Sequence, residues 1–158
     1  MNEVATEYEQ MSKCRNAGAL WTLTQRFWLF GTATYAQGDM VTLEQAERNA
    51  RRFFNALDLA VLGKRELHEG MRLQRHVFAE QGRLRANTHI HFFIKGRAWH
   101  HYSVIKRHAQ PLWLKLTAGA RDLVLLDNMG LNRQRAGYGW KELRCYAALT
   151  PLYTCFVA

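Results

Sequence analysis

Residues Asn87–Gly96 read NTHIHFFIKG, and the alternation within this stretch decides the fold. Side chains of a strand point to opposite faces with a period of two. Ile90, Phe92 and Ile94 therefore share one face, and His89, His91 and Phe93 share the other. The first face is wholly apolar and needs a core. The second sets two imidazoles side by side. A sheet covered by helices on one side and open on the other meets both demands.

Working outward, Gln81–Asn87 (QGRLRAN) turns the chain, and Leu73–Glu80 before it reads as a second strand of an antiparallel hairpin. Further upstream, Thr42 and Gln45 form a capping box. Behind it Leu43, Ala46, Ala50, Phe53, Phe54, Leu57, Ala60 and Val61 recur at helical spacing, and Gly63 is the expected end. Trp21–Phe27 (WTLTQRF), rich in aromatic residues and threonine, reads as a strand, followed by a turn through Gly31, Gly38 and Asp39. Downstream, Trp99–Leu116 reads as helix, with Pro111 expected to divide it or end its first part. Asp122–Asp127 is expected as a short buried strand, 128–137 as loop, and Tyr138–Leu149 as a last helix stopped by Pro151, with LYTCFVA able to add an edge strand. The predicted fold class is α+β, a mainly antiparallel sheet of about five strands flanked by helices. Residues 1–19 are expected to form a lead-in, and 20–158 a single domain.

Composition narrows the partners. The chain carries 22 Lys and Arg against 13 acids, a formal net charge of +9, and such a basic domain suits a polyanion, most often nucleic acid. No acid lies between Arg83 and Arg121, so a polyanion is expected across that region. No apolar run reaches the roughly 18 residues of a membrane span. The polar start MNEVATEYEQ is unlike a signal peptide, and three cysteines without CxxC spacing argue for reduced thiols. A cytoplasmic location is the expectation, and a disulfide framework or structural zinc site is not.

Two imidazoles at i and i+2 on a strand can converge on one divalent ion. Glu80, at the end of the preceding strand, can supply a carboxylate if the hairpin register brings it opposite His89 or His91, which sequence alone does not fix. That donor set has imidazole and hard oxygen but no thiolate, and it suits Mg²⁺ or Mn²⁺ acting on phosphate oxygens. Tyr138 and Lys141 lie three apart, so on a helix phenol and ammonium project together. The cation can favour the phenolate that a tyrosine nucleophile needs.

Taken in order, Trp21-Thr22-Leu23-Thr24, His89-Ile90-His91 with Glu80, and Tyr138 with Lys141 resemble the three motifs of the HUH endonuclease superfamily, in its single-tyrosine replication initiator (Rep) form. The resemblance implies an HUH/Rep nuclease-like, ferredoxin-related sheet. It implies Glu80, His89 and His91 as metal ligands, Tyr138 as nucleophile and Lys141 as its support. The substrate implied is single-stranded DNA, an origin hairpin among its forms, and the role is rolling-circle initiation for a plasmid, phage or virus. The chain has no G-x-x-x-x-G-K-[ST] loop, so unwinding would fall to a host helicase. Expected strand contacts are Arg83, Arg85, Lys95, Arg97, Trp99, His100 and Lys106, residue types that pair phosphate-binding cations with stacking surfaces. Two alternatives stay open: an HUH-type tyrosine transposase or relaxase-like strand transferase, and a non-catalytic nucleic-acid-binding module.

Overall fold

The computed structural model describes residues 12–13, 16–81, 87–127, 136–137 and 149–151. A helix over residues 16–24 (α1) precedes strand β1 (Leu29–Tyr35). Helix α2 (Leu43–His68) leads to the hairpin of β2 (Gln74–Glu80) and β3 (His89–Lys95). Helix α3 (His100–Leu116), β4 (Ala120–Asp127) and the short β5 (Leu149–Pro151) follow. The strands lie in the order β4-β1-β3-β2-β5, and every neighbouring pair is antiparallel. The fold is therefore α+β, and the histidine strand is its centre.

The apolar face of β3 makes the main core. Ile90, Phe92 and Ile94 are buried with Leu29 and Ala33 of β1, Val77 and Ala79 of β2, Phe53, Phe54 and Leu57 of α2, and Ile105 and Trp113 of α3. Each of the Val, Leu, Ile and Phe side chains among them contributes roughly 1.5–3 kcal/mol by leaving water. Phe92 can lie across β1 because its partner there is Gly31, where an added Cβ would sit 2.1 Å from Phe92 Cζ. Thr42 and Gln45 cap α2 reciprocally, as their spacing requires.

Several local expectations are corrected. The segment starting at Trp21 is helical to residue 24 and then turns, rather than forming a strand. Its threonines satisfy their hydroxyls within the helix, Thr22 Oγ1 donating to the Gly18 carbonyl at 3.0 Å and Thr24 Oγ1 to the Trp21 carbonyl at 2.7 Å. The strand with alternating threonines is β1, so Gly31 lies in a strand and not a turn. Gly63 breaks helical geometry at φ 77° and ψ 172°, but helix resumes to His68. Pro111 leaves α3 continuous, because it and Arg107, whose carbonyl loses a donor, both lie on the exposed side. Strand β4 is an edge strand in which Val124 and Leu126 are exposed, not a buried one. Leu149–Pro151 pairs with β2 instead of ending a helix. The rest of the predicted last helix, and residues 152–158, lie outside the described residues.

The face opposite α2 and α3 is only partly open. Trp21 of α1 sets its indole edge against His76 with centroids 5.4 Å apart, and Gln74 Nε2 donates to Gln25 Oε1 at 2.6 Å. Beneath them Phe27, Phe78 and Phe93 form a second small cluster with Phe30. The cover lies at the Gln74 and Lys95 end, away from Glu80 and His89. No helix among the described residues is long and apolar enough to cross a membrane.

Candidate metal centre

The β2–β3 register pairs Glu80 with His89 and Phe78 with His91, and the β1–β3 register pairs Thr32 with His91. Alternation then places Glu80, His89, His91 and Thr32 on the face away from the two long helices. Ligand atoms from Glu80, His89 and His91 all lie within 4.8 Å of one another. Glu80 Oε2 is 3.1 Å from His91 Nε2 and 3.3 Å from His89 Nε2.

The hydrogen bonds behind the rings decide what the Nε2 atoms can do. His89 Nδ1 lies 2.9 Å from the Asn87 carbonyl, which only accepts, so Nδ1 carries the proton. A neutral His89 then presents the Nε2 lone pair to Glu80, itself an acceptor. Such neighbours repel unless a cation joins them, either a proton or a metal ion. His91 Nδ1 lies 3.0 Å from Thr32 Oγ1, a hydroxyl able to accept its proton and leave Nε2 as a ligand. Backing of this kind fixes ring orientation and tautomer in metal-binding histidines. The site therefore fits a divalent ion: two imidazole nitrogens, one carboxylate oxygen, no thiolate, and coordination positions left for water or substrate.

Apolar walls hold the site rigid. Phe30 stacks on His91 with centroids 5.5 Å apart and planes 16° apart, and Phe78 flanks the ring at 5.4 Å. His91 and Glu80 are buried, whereas the His89 side chain is 16% exposed and meets the His91 ring at 88°. Any ion held here would approach from the His89 side.

The predicted strand-binding residues fall elsewhere. Lys95 ends β3, four residues beyond His91 and six beyond His89, so at ~3.4 Å per residue it sits roughly 14–20 Å along the strand from the two imidazoles. It is half-buried, its ammonium donates to the Gln25 carbonyl, and burial and then Arg26 lower its pKa. Arg97 and His100 are exposed near it. Trp99 is 59% exposed and stacks on Tyr102 with centroids 5.2 Å and planes 3° apart. Lys106 bonds to Tyr102 Oη at 3.3 Å and to Asp127 Oδ1 at 3.2 Å, contacts that raise its pKa. Arg83, Arg85, Tyr138 and Lys141 lie outside the described residues.

Sequence reasoning missed Thr32, the Asn87 carbonyl, and the flanking rings of Phe30 and Phe78. The first was legible in the alternation of LFGTATY, had Gly31 not been read as punctuation. The Asn87 contact is made by backbone and leaves no trace in residue type. No protein-family model, curated protein or solved structure matches this chain.

Proposed function

We propose that this protein is a metal-dependent nuclease that nicks and rejoins single-stranded DNA through a 5′-phosphotyrosine, as an initiator of rolling-circle replication does. The observation that carries the reading is the convergence of Glu80, His89 and His91 on the sheet face away from the two long helices, with both imidazoles backed through Nδ1. A net charge of +9 supports a polyanionic substrate. Mg²⁺ or Mn²⁺ bound there would supply electrophilic stabilisation of the scissile phosphate's oxygens.

The chain's own residues do the rest. Glu80, His89 and His91 hold their donor atoms in place through the β2–β3 ladder, so no rearrangement is needed when substrate arrives. Tyr138, taken from the resemblance, forms the new oxygen–phosphorus bond while the bond to the 3′ oxygen breaks, and the phenol's proton ends on that 3′ oxygen. Lys141 favours the phenolate. One phosphoester replaces another, so the same step run backwards reseals the strand. A host helicase would open the duplex.

The test mixes wild type, Tyr138→Phe and Glu80→Gln with end-labelled random single-stranded oligonucleotides and Mn²⁺, then resolves covalent adduct on denaturing gels. Adduct in wild type alone is the expected result, with Lys141→Ala slowing its formation. Adduct surviving Tyr138→Phe, or forming equally in a chelator, overturns the reading.

A further inference from the structure

A groove of about 510 Å³ lies at the far end of β3 from Glu80, His89 and His91, and Arg26, Trp28, Arg72, Lys95 and Arg97 line it. Its size falls in the range of small-ligand sites, ~300–1,000 Å³. Its chemistry is one-sided. Arg72 Nε has Asp58 Oδ2 at 3.8 Å, but Arg26, Lys95 and Arg97 have no acidic side chain in ion-pair range among the described residues. Lys95 and Arg26 share the groove lining, and burial first and the Arg26 charge second hold the lysine's pKa below its ordinary value. A folded chain that gathers three cations with no acid paired to them among the described residues gains when an anion enters.

One residue of the groove lining, Trp28, is aromatic. Trp28 meets Trp99 edge-on with centroids 5.6 Å apart, and Trp99 in turn stacks on Tyr102. Guanidinium groups fit phosphate oxygens in a fork, and an indole offers a face to a base. Arg26 is also the one non-glycine residue with positive φ among the described residues, at 52°. The turn after α1 thus holds an arginine where glycine would be easier, and it aims that residue's charge at the groove.

We infer that this groove binds one phosphate-bearing nucleotide, the phosphate on Arg26, Lys95 and Arg97 and the base against Trp28. The site needs neither the metal triad nor Tyr138, so it goes beyond the nicking reading and stands or falls apart from it. The nucleotide can be free or part of a strand, and the experiment separates the two.

Binding of dAMP, deoxyribose 5-phosphate and a fluorescein-labelled (dT)12 is measured on the full chain in EDTA, which removes any contribution of the metal triad. Arg26→Gly/Arg97→Ala empties the groove of two charges, and the glycine suits the positive φ. Arg107→Ala/Arg121→Ala removes the same charge elsewhere. Wild type should bind dAMP more tightly than deoxyribose 5-phosphate, and the groove variant should lose tenfold or more while the distant pair changes less than threefold. If only (dT)12 binds, with the same loss in the groove variant, the occupant is a nucleotide within a strand. Wild type binding none of the three probes overturns the inference. So does a folded groove variant that binds like wild type, or an equal loss in the distant pair. Tyr138-dependent adduct formation is scored separately, so failure of one reading leaves the other visible.

Discussion

Thr32 Oγ1 and His91 Nδ1 meet at 3.0 Å as direct partners across the β1–β3 ladder, and the ring's other nitrogen faces Glu80 at 3.1 Å. The hydroxyl is a buttress that fixes which nitrogen is available. Thr32→Val keeps the branched shape and deletes the hydroxyl. Outer partners of this kind are worth ~10–100-fold in metal affinity. Calorimetric titration with Mn²⁺ should show that loss in Thr32→Val and little change in Thr32→Ser. Equal affinities in all three would remove Thr32 from the site.

Binding of an ion to the folded state alone must raise stability. At one hundred times its dissociation constant the gain is ~2.7 kcal/mol, or about 5–10 °C in melting temperature for a chain of this size. Melting followed by circular dichroism with Mn²⁺ and with EDTA should show the shift in wild type. Glu80→Gln should abolish most of it. Absence of any shift in wild type at millimolar Mn²⁺ would argue against the triad as a metal centre.

The Gly31–Phe92 contact predicts a steric penalty on the face of the sheet opposite the triad. Gly31→Ala places a Cβ 2.1 Å from Phe92 Cζ, within a face that is fully packed. Overpacking of this kind costs ~1–3 kcal/mol, readable as a lower urea midpoint. Adding Phe92→Leu should make the double variant less destabilised than the sum of the singles. Strict additivity would mean the two positions do not touch.

His76 predicts an acid sensitivity independent of the metal. Burial beneath Trp21 and beside Phe78 and Phe93 pushes its pKa down from 6.5 to about 4. Between those values the unfolded chain takes up a proton that the folded chain refuses, so stability is present above pH 6.5 and is lost as pH falls toward 4. The change is on the order of 3 kcal/mol at ~1.4 kcal/mol per pH unit. Urea unfolding from pH 7 to pH 4 should show a shallower decline in His76→Phe than in wild type. Parallel declines would assign the acid sensitivity to other groups.

Salt should report which cations meet phosphate. Single strands lose about 0.7 in log–log slope per neutralised phosphate, so five contacts would give about −3.5. Lys106 already bonds to Tyr102 and Asp127, whereas Arg97 is exposed with no acid in ion-pair range among the described residues. Arg97→Ala should therefore reduce the slope for (dT)12 more than Lys106→Ala does. The opposite order would place the strand along α3.

The parts of this fold legible in the sequence are those where one local rule acts alone. The alternation of His89–Lys95, the Thr42–Gln45 box and the 3.6-residue repeat behind it each state their structure directly. Trp21–Thr24 misled because β-branched residues also fit a helix when their hydroxyls bond back to the preceding turn, as those of Thr22 and Thr24 do. Gly31 misled because its purpose is a neighbour's ring, sixty-one residues later in the chain. Glu80, His89 and His91 were nameable as a group that could hold a metal ion, but Glu80 reaches the imidazoles only through hairpin register, which tertiary packing fixes. The cationic groove was half visible, since Lys95 and Arg97 were named while Arg26 and Arg72 arrive from other elements.

The position of β3 between β1 and β2 has a consequence for how the protein comes apart. Amides of a strand bonded on both sides exchange with solvent only through large openings, and those of an edge strand such as β4 exchange through fraying. The two imidazoles are therefore carried by the segment expected to exchange last. Partial opening at the sheet's margins would leave their spacing intact. A single-residue insertion inside β3 would instead turn the strand over and drive both rings toward the helices. The centre of the sheet thus tolerates breathing around it and does not tolerate a change in its own count.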